Sequence, residues 1–142
     1  PSNEQELINM IKTSVSYNDG PLAIRYPRGE VNTTERTTEA KTIKIGKGKI
    51  LLKNYTNNKK GDIAFLSIGT RLDDTLEASK KLRSAGYAVS VADARFAKPI
   101  DNQMILELAN NNNSLSPETK FALESKTPIL SPSPSKAIPI SA

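Results

Sequence analysis

Two arginines are the residues whose type and spacing best suit binding chemistry in this sequence. Arg25 and Arg28 stand at the end of residues 22–26, a short run rich in apolar side chains. A turn signal at residues 19–21 precedes the run and Pro27 closes it, which predicts a short buried strand. Guanidinium groups at the exit of a buried strand suit an anion such as phosphate. Solvated arginines at a strand end are the commoner alternative, and the residues alone leave both interpretations open.

The residue types that are missing narrow the chemistry. The 142 residues include no cysteine and no histidine. Disulfides and thiolate metal sites are therefore excluded, and so are the usual general base near neutral pH and the commonest metal ligand. Acid–base chemistry would fall to Asp, Glu, Lys or Tyr. We predict no catalytic, cofactor-binding or metal-binding residue in this chain.

The charge of the chain is positive and uneven. The net charge is +5, and residues 41–60 carry seven lysines and no acidic residue. Most of these lysines alternate with Ile, Gly or Leu, as on the wet face of an edge strand, where lysine opposes aggregation. Only 5% of residues are aromatic, so a stacking platform for single strands is missing. We therefore predict no nucleic-acid partner. No apolar run is long enough to span a bilayer, so we also predict no membrane partner and a soluble, cytoplasmic protein.

The first element is predicted to be an amphipathic helix over residues 2–17. Ser2 is the expected N-cap, with Gln5 completing a capping box. The apolar residues of one face predict packing against a sheet: they are Leu7, Ile8, Ile11 and Val15. Helix, turn and short strand together suggest half of a βαβ unit.

A second unit is predicted over residues 43–110. A bent strand around the glycines at 46 and 48 leads to an apolar strand at 62–68, a helix from residue 71 or 72 that Gly86 caps, and a strand at 87–92. Asp101 then caps a further helix. This alternation is typical of an open parallel α/β sheet with flanking helices.

The flanking segments differ in composition. Residues 31–42 are polar and rich in threonine, which predicts a linker. Residues 111–142 form an Asn-rich and then Ser/Pro-rich tail, which we expect to be disordered or partly ordered.

Three blocks of the sequence resemble the 1-deoxy-D-xylulose-5-phosphate synthase family, thiamine-diphosphate enzymes of the transketolase superfamily. The blocks are residues 17–29, which include Arg25-Tyr26-Pro27-Arg28-Gly29, then Ile45-Gly46-Lys47-Gly48, and finally Ile68-Gly69-Thr70 followed by Asp93-Ala94-Arg95-Phe96 and residues 97–101. The resemblance covers residues 1 to about 110.

The resemblance implies a fold and a domain plan. Residues 1–30 would be the last helix and strand of a pyrimidine-binding domain, 31–42 a linker, and 43–110 an incomplete transketolase C-terminal domain. Residues 111–142 would be a tail foreign to the family. A change of reading frame after about residue 113 is our hypothesis for that tail.

The resemblance also implies a reaction. The complete enzyme condenses pyruvate with glyceraldehyde 3-phosphate and releases carbon dioxide, at the start of the non-mevalonate isoprenoid route and of thiamine synthesis. It works as a homodimer with thiamine diphosphate and Mg²⁺. Arg28 matches the position that binds the substrate phosphate, whereas Arg25, Arg95 and Lys98 are interpreted as structural or interdomain residues.

The family's catalytic histidines, activating glutamate and metal-binding motif have no counterpart here. We therefore expect the chain alone to bind no cofactor and to be inactive. Two alternatives stay open: a non-catalytic α/β module that pairs with a synthase subunit, and a fragment of a related thiamine-diphosphate enzyme, such as the β subunit of a 2-oxo-acid dehydrogenase or a transketolase.

Overall fold

A computed structural model describes residues 1–28 and 39–117. Residues 31–38 of the predicted linker, 118–142 of the predicted tail and Gly29 lie outside the described residues. The helices and strands are α1 (Glu4–Val15), β1 (Lys49–Leu52), β2 (Gly61–Ser67), α2 (Arg71–Ser84), β3 (Val89–Asp93), α3 (Asn102–Asn111) and β4 (Asn112–Pro117).

The described strands form one mixed, mostly parallel sheet in the order β1-β3-β2-β4. β2 pairs in parallel with both β3 and β4, whereas β1 runs antiparallel to β3. The register of β1 shifts between Ile50 and Leu52, so the predicted irregularity lies inside this strand, after the glycines. The predicted α/β fold is confirmed, and the predicted all-parallel sheet gains one antiparallel edge.

Helices cover both faces of this sheet. On one face, α3 contributes Met104 and Leu108 to a cluster with Leu66 of β2. On the other face, α2 contributes Leu72 to a cluster with Val89 and Val91 of β3. All five residues of β3 are buried, because this strand is central and covered on both sides. Its apolar residues Val89, Val91 and Ala92 are fully buried, as the position of the strand requires.

The helix α1 begins and packs differently from the prediction. Its N-cap is Asn3, whose Oδ1 accepts a hydrogen bond from the Glu6 N–H at 2.8 Å, so the predicted Ser2 cap is wrong. The predicted sheet-facing stripe is wrong at two positions, because Ile11 is 49% and Val15 78% exposed. The buried residues of α1 are instead Met10 and Thr13.

The predicted buried strand at residues 22–26 is also wrong. This segment contains no strand, Leu22 is 40% exposed and Tyr26 is 65% exposed. A strand is stable only when a neighbouring strand takes up its backbone hydrogen bonds. No such neighbour lies beside this segment among residues 1–28 and 39–117.

The strand β4 lies in the stretch predicted to be disordered or partly ordered. It follows α3 directly and pairs with the edge of β2 from Gly61 to Leu66. The amide of Asn112 fixes its start: Nδ2 donates to the Leu108 carbonyl at 2.8 Å, and Oδ1 accepts from the Ser90 hydroxyl at 3.2 Å. Tertiary contacts thus order a sequence of Asn, Ser and Pro that has low strand propensity.

Candidate functional site

The structure places Arg28, the predicted phosphate ligand, at the surface. Arg25 and Arg28 are both exposed; Arg25 lies within the irregular segment 21–27, and Arg28 follows it. Arg28 is the last described residue before the gap at residues 29–38, and its phosphate-binding role stays a prediction.

The carboxyl ends of β2 and β4 form the switch point of the sheet. From β2 the chain passes through α2 to β3 on one side, and from β3 it passes through α3 to β4 on the other side of β2. α2 and α3 also cover opposite faces. Open α/β sheets bind ligands in the crevice where connections diverge in this way. The topology therefore marks the carboxyl ends of β2 and β4, next to Ser67, as the expected ligand site.

The start of the chain and the first turn of α1 lie next to this switch point, in the crevice at the carboxyl ends of β2 and β3. A Cβ atom built on Gly69 would lie 3.6 Å from the Pro1 carbonyl oxygen, so the backbone approaches closely here. The Ser2 hydroxyl donates a hydrogen bond to the Asp93 carboxylate. Glu6 forms an ion pair with Arg95, in which Nη2 lies 2.6 Å from Oε1.

The end of β3 is folded tightly around Asp93. The carboxylate Oδ1 accepts a hydrogen bond from the Arg95 N–H at 2.9 Å, and Arg95 has a φ of 56°, a left-handed conformation that is costly for residues with a Cβ. Burial raises the pKa of Asp93, while the hydrogen bonds from Arg95 and Ser2 act in the opposite direction. The polar groups at the end of this strand are therefore used for internal contacts.

A shallow cleft of about 290 Å³ lies on the α3 side of the sheet, lined by Lys47, Gly48, Asp101 and Glu107 among others. Asp101 is buried and caps α3, as predicted, by accepting a hydrogen bond from the Met104 N–H at 3.2 Å. Burial alone would raise its pKa, but the bonds from Met104, Lys47 and Gly48 outweigh burial and lower the pKa. The carboxylate is thus a structural group that joins α3 to the segment before β1.

A second carboxylate of α3 anchors the segment after β1. Glu107 Oε1 accepts hydrogen bonds from the Tyr55 hydroxyl at 2.8 Å and from Lys53 Nζ at 3.0 Å. The bond from Tyr55, followed by that from Lys53, lowers the pKa of Glu107. Burial, followed by the bond to Glu107, raises the pKa of Tyr55 above its usual range. Tyr55 therefore stays protonated at neutral pH and serves as a donor.

The sequence analysis did not find the pairing of Glu6 with Arg95. The two residues are 89 positions apart, so no spacing rule connects them. An arginine at the carboxyl end of a predicted parallel strand was the available signal, and it was interpreted as structural or interdomain. The contact observed with α1 is of a structural kind.

Residues 1–28 and 39–117 contain neither a candidate metal-binding cluster nor a helix suited to span a membrane. Residues 1–28 and 39–117 contain no group of three or more Asp or Glu side chains placed to hold a metal ion. No helix in these ranges is long and apolar enough to cross a bilayer.

Comparisons with known proteins relate the chain to transketolases. Residues 53–116 match the family described as "Transketolase, C-terminal domain". The chain is 38% identical over 114 residues to "1-deoxy-D-xylulose-5-phosphate synthase 2" of Jannaschia sp. (strain CCS1), an alignment that covers 80% of this chain and 17% of that relative. It also resembles a solved chain titled "Split gene transketolase, inactive beta4 tetramer", with a TM-score of 0.47 and 26% identity over 54% of this chain and 23% of that one. The chain thus contains a transketolase C-terminal-like unit and spans about a sixth of the length of its curated relative.

Proposed function

We propose that these residues serve in a 1-deoxy-D-xylulose-5-phosphate synthase, in which Arg28 binds the phosphate of glyceraldehyde 3-phosphate. The observation that carries the proposal is the 38% identity over 114 residues to a curated synthase. The α/β unit of residues 43–117 would be the framework of that enzyme's C-terminal domain. Pyruvate would be the second substrate, and thiamine diphosphate, when bound elsewhere in the enzyme, supplies the carbanion chemistry.

The role of Arg28 follows from its chemistry and its accessibility. A guanidinium is planar, permanently charged and able to donate two parallel hydrogen bonds to one phosphate. Arg28 is exposed and follows Pro27, which restricts the backbone just before it. An arginine in this position can bind and orient the phosphorylated aldehyde. It cannot itself move a proton, so its contribution is to binding.

A hybrid enzyme tests the proposal. The aligned region of the Jannaschia synthase is replaced by the corresponding residues of this chain, and the formation of 1-deoxy-D-xylulose 5-phosphate is measured with thiamine diphosphate and Mg²⁺. We expect turnover within about tenfold of the parent enzyme, because exchanged domains of related sequence keep volume and pattern. A hybrid that folds and binds the cofactor but has no turnover would contradict the proposal.

The 142 residues without the rest of a synthase are expected to have no turnover. They contain no histidine to serve as an acid–base group. The assay uses the purified chain with both substrates, thiamine diphosphate and Mg²⁺. Measurable product formation would show that the catalytic groups lie within this chain.

A second candidate function is a non-catalytic module that pairs with a synthase subunit. Its support is the apolar surface of the first described range, where Ile11, Val15, Leu22 and Tyr26 are all 40% or more exposed. Surface of this kind is typical of an interface. Co-purification with a full-length synthase subunit, lost on replacing Val15 and Tyr26 with serine, would favour this function over the first if the hybrid enzyme is inactive.

A further inference from the structure

We propose that the crevice at the carboxyl ends of β2 and β3 is a carboxylate-binding site whose ligand is Glu6 of the chain's own helix α1. Arg95 is the receptor of that carboxylate. The carboxylate that Arg95 binds belongs to the same chain, so the site is an internal docking site. The inference concerns how α1 is held and is independent of the proposed synthase activity.

The first argument is the burial of the ion pair. The side chains of Arg95 and Glu6 are only 16% and 12% exposed, whereas those of the Glu77–Lys81 pair on α2 are 68% and 77% exposed. A charge withdrawn from water this far is tolerated only beside its partner, and removing one partner leaves the other uncompensated. An exposed pair such as Glu77–Lys81 contributes little. The pair at the crevice is thus the one expected to hold an element in place.

The second argument is that Arg95 keeps an unused buried donor even with the Glu6 carboxylate in place. Glu6 Oε1 accepts from Arg95 Nη2 at 2.6 Å, while Glu6 Oε2 and Arg95 Nε are buried and have no hydrogen-bond partner. The Arg95 guanidinium therefore keeps one buried donor, the Nε–H, without an acceptor. If the Glu6 side chain is removed, a small carboxylate can occupy the same place and accept hydrogen bonds from both Nε and Nη2 of Arg95.

The third argument is that polar contacts dominate the docking of α1. Besides Glu6, hydrogen bonds join α1 to later residues: among them, the Lys41 N–H donates to Asn9 Oδ1 at 2.9 Å, and the Ile43 N–H donates to Thr13 Oγ1 at 2.9 Å. Only Met10 and Thr13 of α1 are buried. With so little apolar burial, the ion pair is the main link between α1 and the central strands.

The test is amide hydrogen exchange of the full chain in the Glu6→Ala variant. We expect exchange of the α1 amides to accelerate about tenfold or more, while β2 and β3 stay protected, because docking is lost before the sheet opens. Sodium acetate at about 0.1 M should restore part of the α1 protection by binding the docked state, in comparison with sodium chloride at equal ionic strength. In Glu6→Ala/Arg95→Ala, acetate should have no effect.

Glu77→Ala is the matched control, since it removes a helical glutamate from an exposed ion pair, and it should leave α1 exchange unchanged. Unchanged α1 exchange in Glu6→Ala would overturn the proposal, as would acetate protection that persists without Arg95. If Glu6→Ala fails to fold, Glu6→Gln is measured in the same way. Loss of protection throughout the sheet in both variants would also overturn it, because Glu6 would then support the whole fold rather than the docking of one helix.

Discussion

Replacing Asp101 with alanine removes three hydrogen bonds from one carboxylate. Oδ1 accepts from the Met104 N–H and from Lys47 Nζ, and Oδ2 accepts from the Gly48 N–H, each at 3.2 Å. The first bond caps α3, and the other two hold the segment that leads into β1. A single side chain therefore connects the helix on one face of the sheet to its antiparallel edge strand.

The magnitude follows from the kind of each bond. Loss of an N-cap costs about 1 kcal/mol of unfolding free energy, and loss of a buried bond to a charged acceptor costs about 1.5–3 kcal/mol. The Lys47 contact adds less than about 1 kcal/mol, because that side chain is 41% exposed. Since such terms overlap, we expect Asp101→Ala to cost about 3 kcal/mol.

Urea unfolding of three variants separates these contributions. Asp101→Asn keeps an oxygen for the cap but presents an NH₂ group to Gly48, so it should cost about 1–2 kcal/mol. Lys47→Ala should cost less than about 1 kcal/mol. If Lys47→Ala is as destabilising as Asp101→Ala, the exposed ion pair dominates and the reasoning is refuted.

The pH dependence gives an independent check on the same carboxylate. Its pKa is lowered in the folded chain, so its charged form contributes stability above the unfolded pKa of about 3.9. That contribution is lost as the pH falls through the folded pKa. The difference in stability between the natural chain and Asp101→Asn should therefore shrink below about pH 4. A difference that grows on acidification would contradict the assigned direction.

The remaining predictions concern packing. Leu108→Ala should lower the free energy of unfolding by about 3–5 kcal/mol, because the side chain is fully buried. Leu106 on the same helix is 53% exposed, so Leu106→Ala should lower it by less than about 1 kcal/mol. Equal urea midpoints of the two variants would contradict the core assignment. Gly61→Ala should be destabilising by about 1–3 kcal/mol, because its Cβ would lie 2.2 Å from Asn112 Oδ1 and disturb the start of β4. Gly86→Ala, with a φ of 92° and open space around it, should show only backbone strain of about 1–2 kcal/mol and keep β4 protected from exchange.

The sequence predicted best where local pattern and tertiary environment agree. The helix at Arg71–Ser84 has acidic residues early, basic residues late and a following glycine with a φ of 92°, and it was predicted within two residues. The apolar residues of the strand at Val89–Asp93, which are Val89, Val91 and Ala92, are fully buried because both faces of the strand are covered. The cap at Asp101 was predicted from residue type and position, and its hydrogen bond to Met104 confirms it.

The sequence predicted poorly where distant contacts decide. Residues 22–26 have the composition of a strand but no neighbouring strand in the described ranges, so the propensity is not expressed. Residues 112–117 have the composition of a loop, yet the open edge of β2 and the amide of Asn112 make them a strand. Composition cannot reveal either outcome, because both depend on which backbone groups are free elsewhere.

The residues of the candidate site were also predictable from the sequence only in part. Arg28 was identified by resemblance, and neither the described contacts nor the comparisons test its role. Glu6 has no feature in the sequence that sets it apart from other helical glutamates, yet its carboxylate lies 2.6 Å from Arg95. A pair separated by 89 residues requires the folded chain to be recognised.

The discrimination between phosphorylated and non-phosphorylated aldehyde tests the central claim most directly. In the hybrid synthase, the ratio of kcat/KM for glyceraldehyde 3-phosphate to that for glyceraldehyde is measured with arginine, lysine and alanine at position 28. We expect Arg28→Ala to lower this ratio by about 10- to 150-fold, the equivalent of about 1.5–3 kcal/mol, and Arg28→Lys to lower it less, with the KM for pyruvate unchanged. A ratio that is the same in all three enzymes would contradict the assignment of Arg28 as the phosphate ligand.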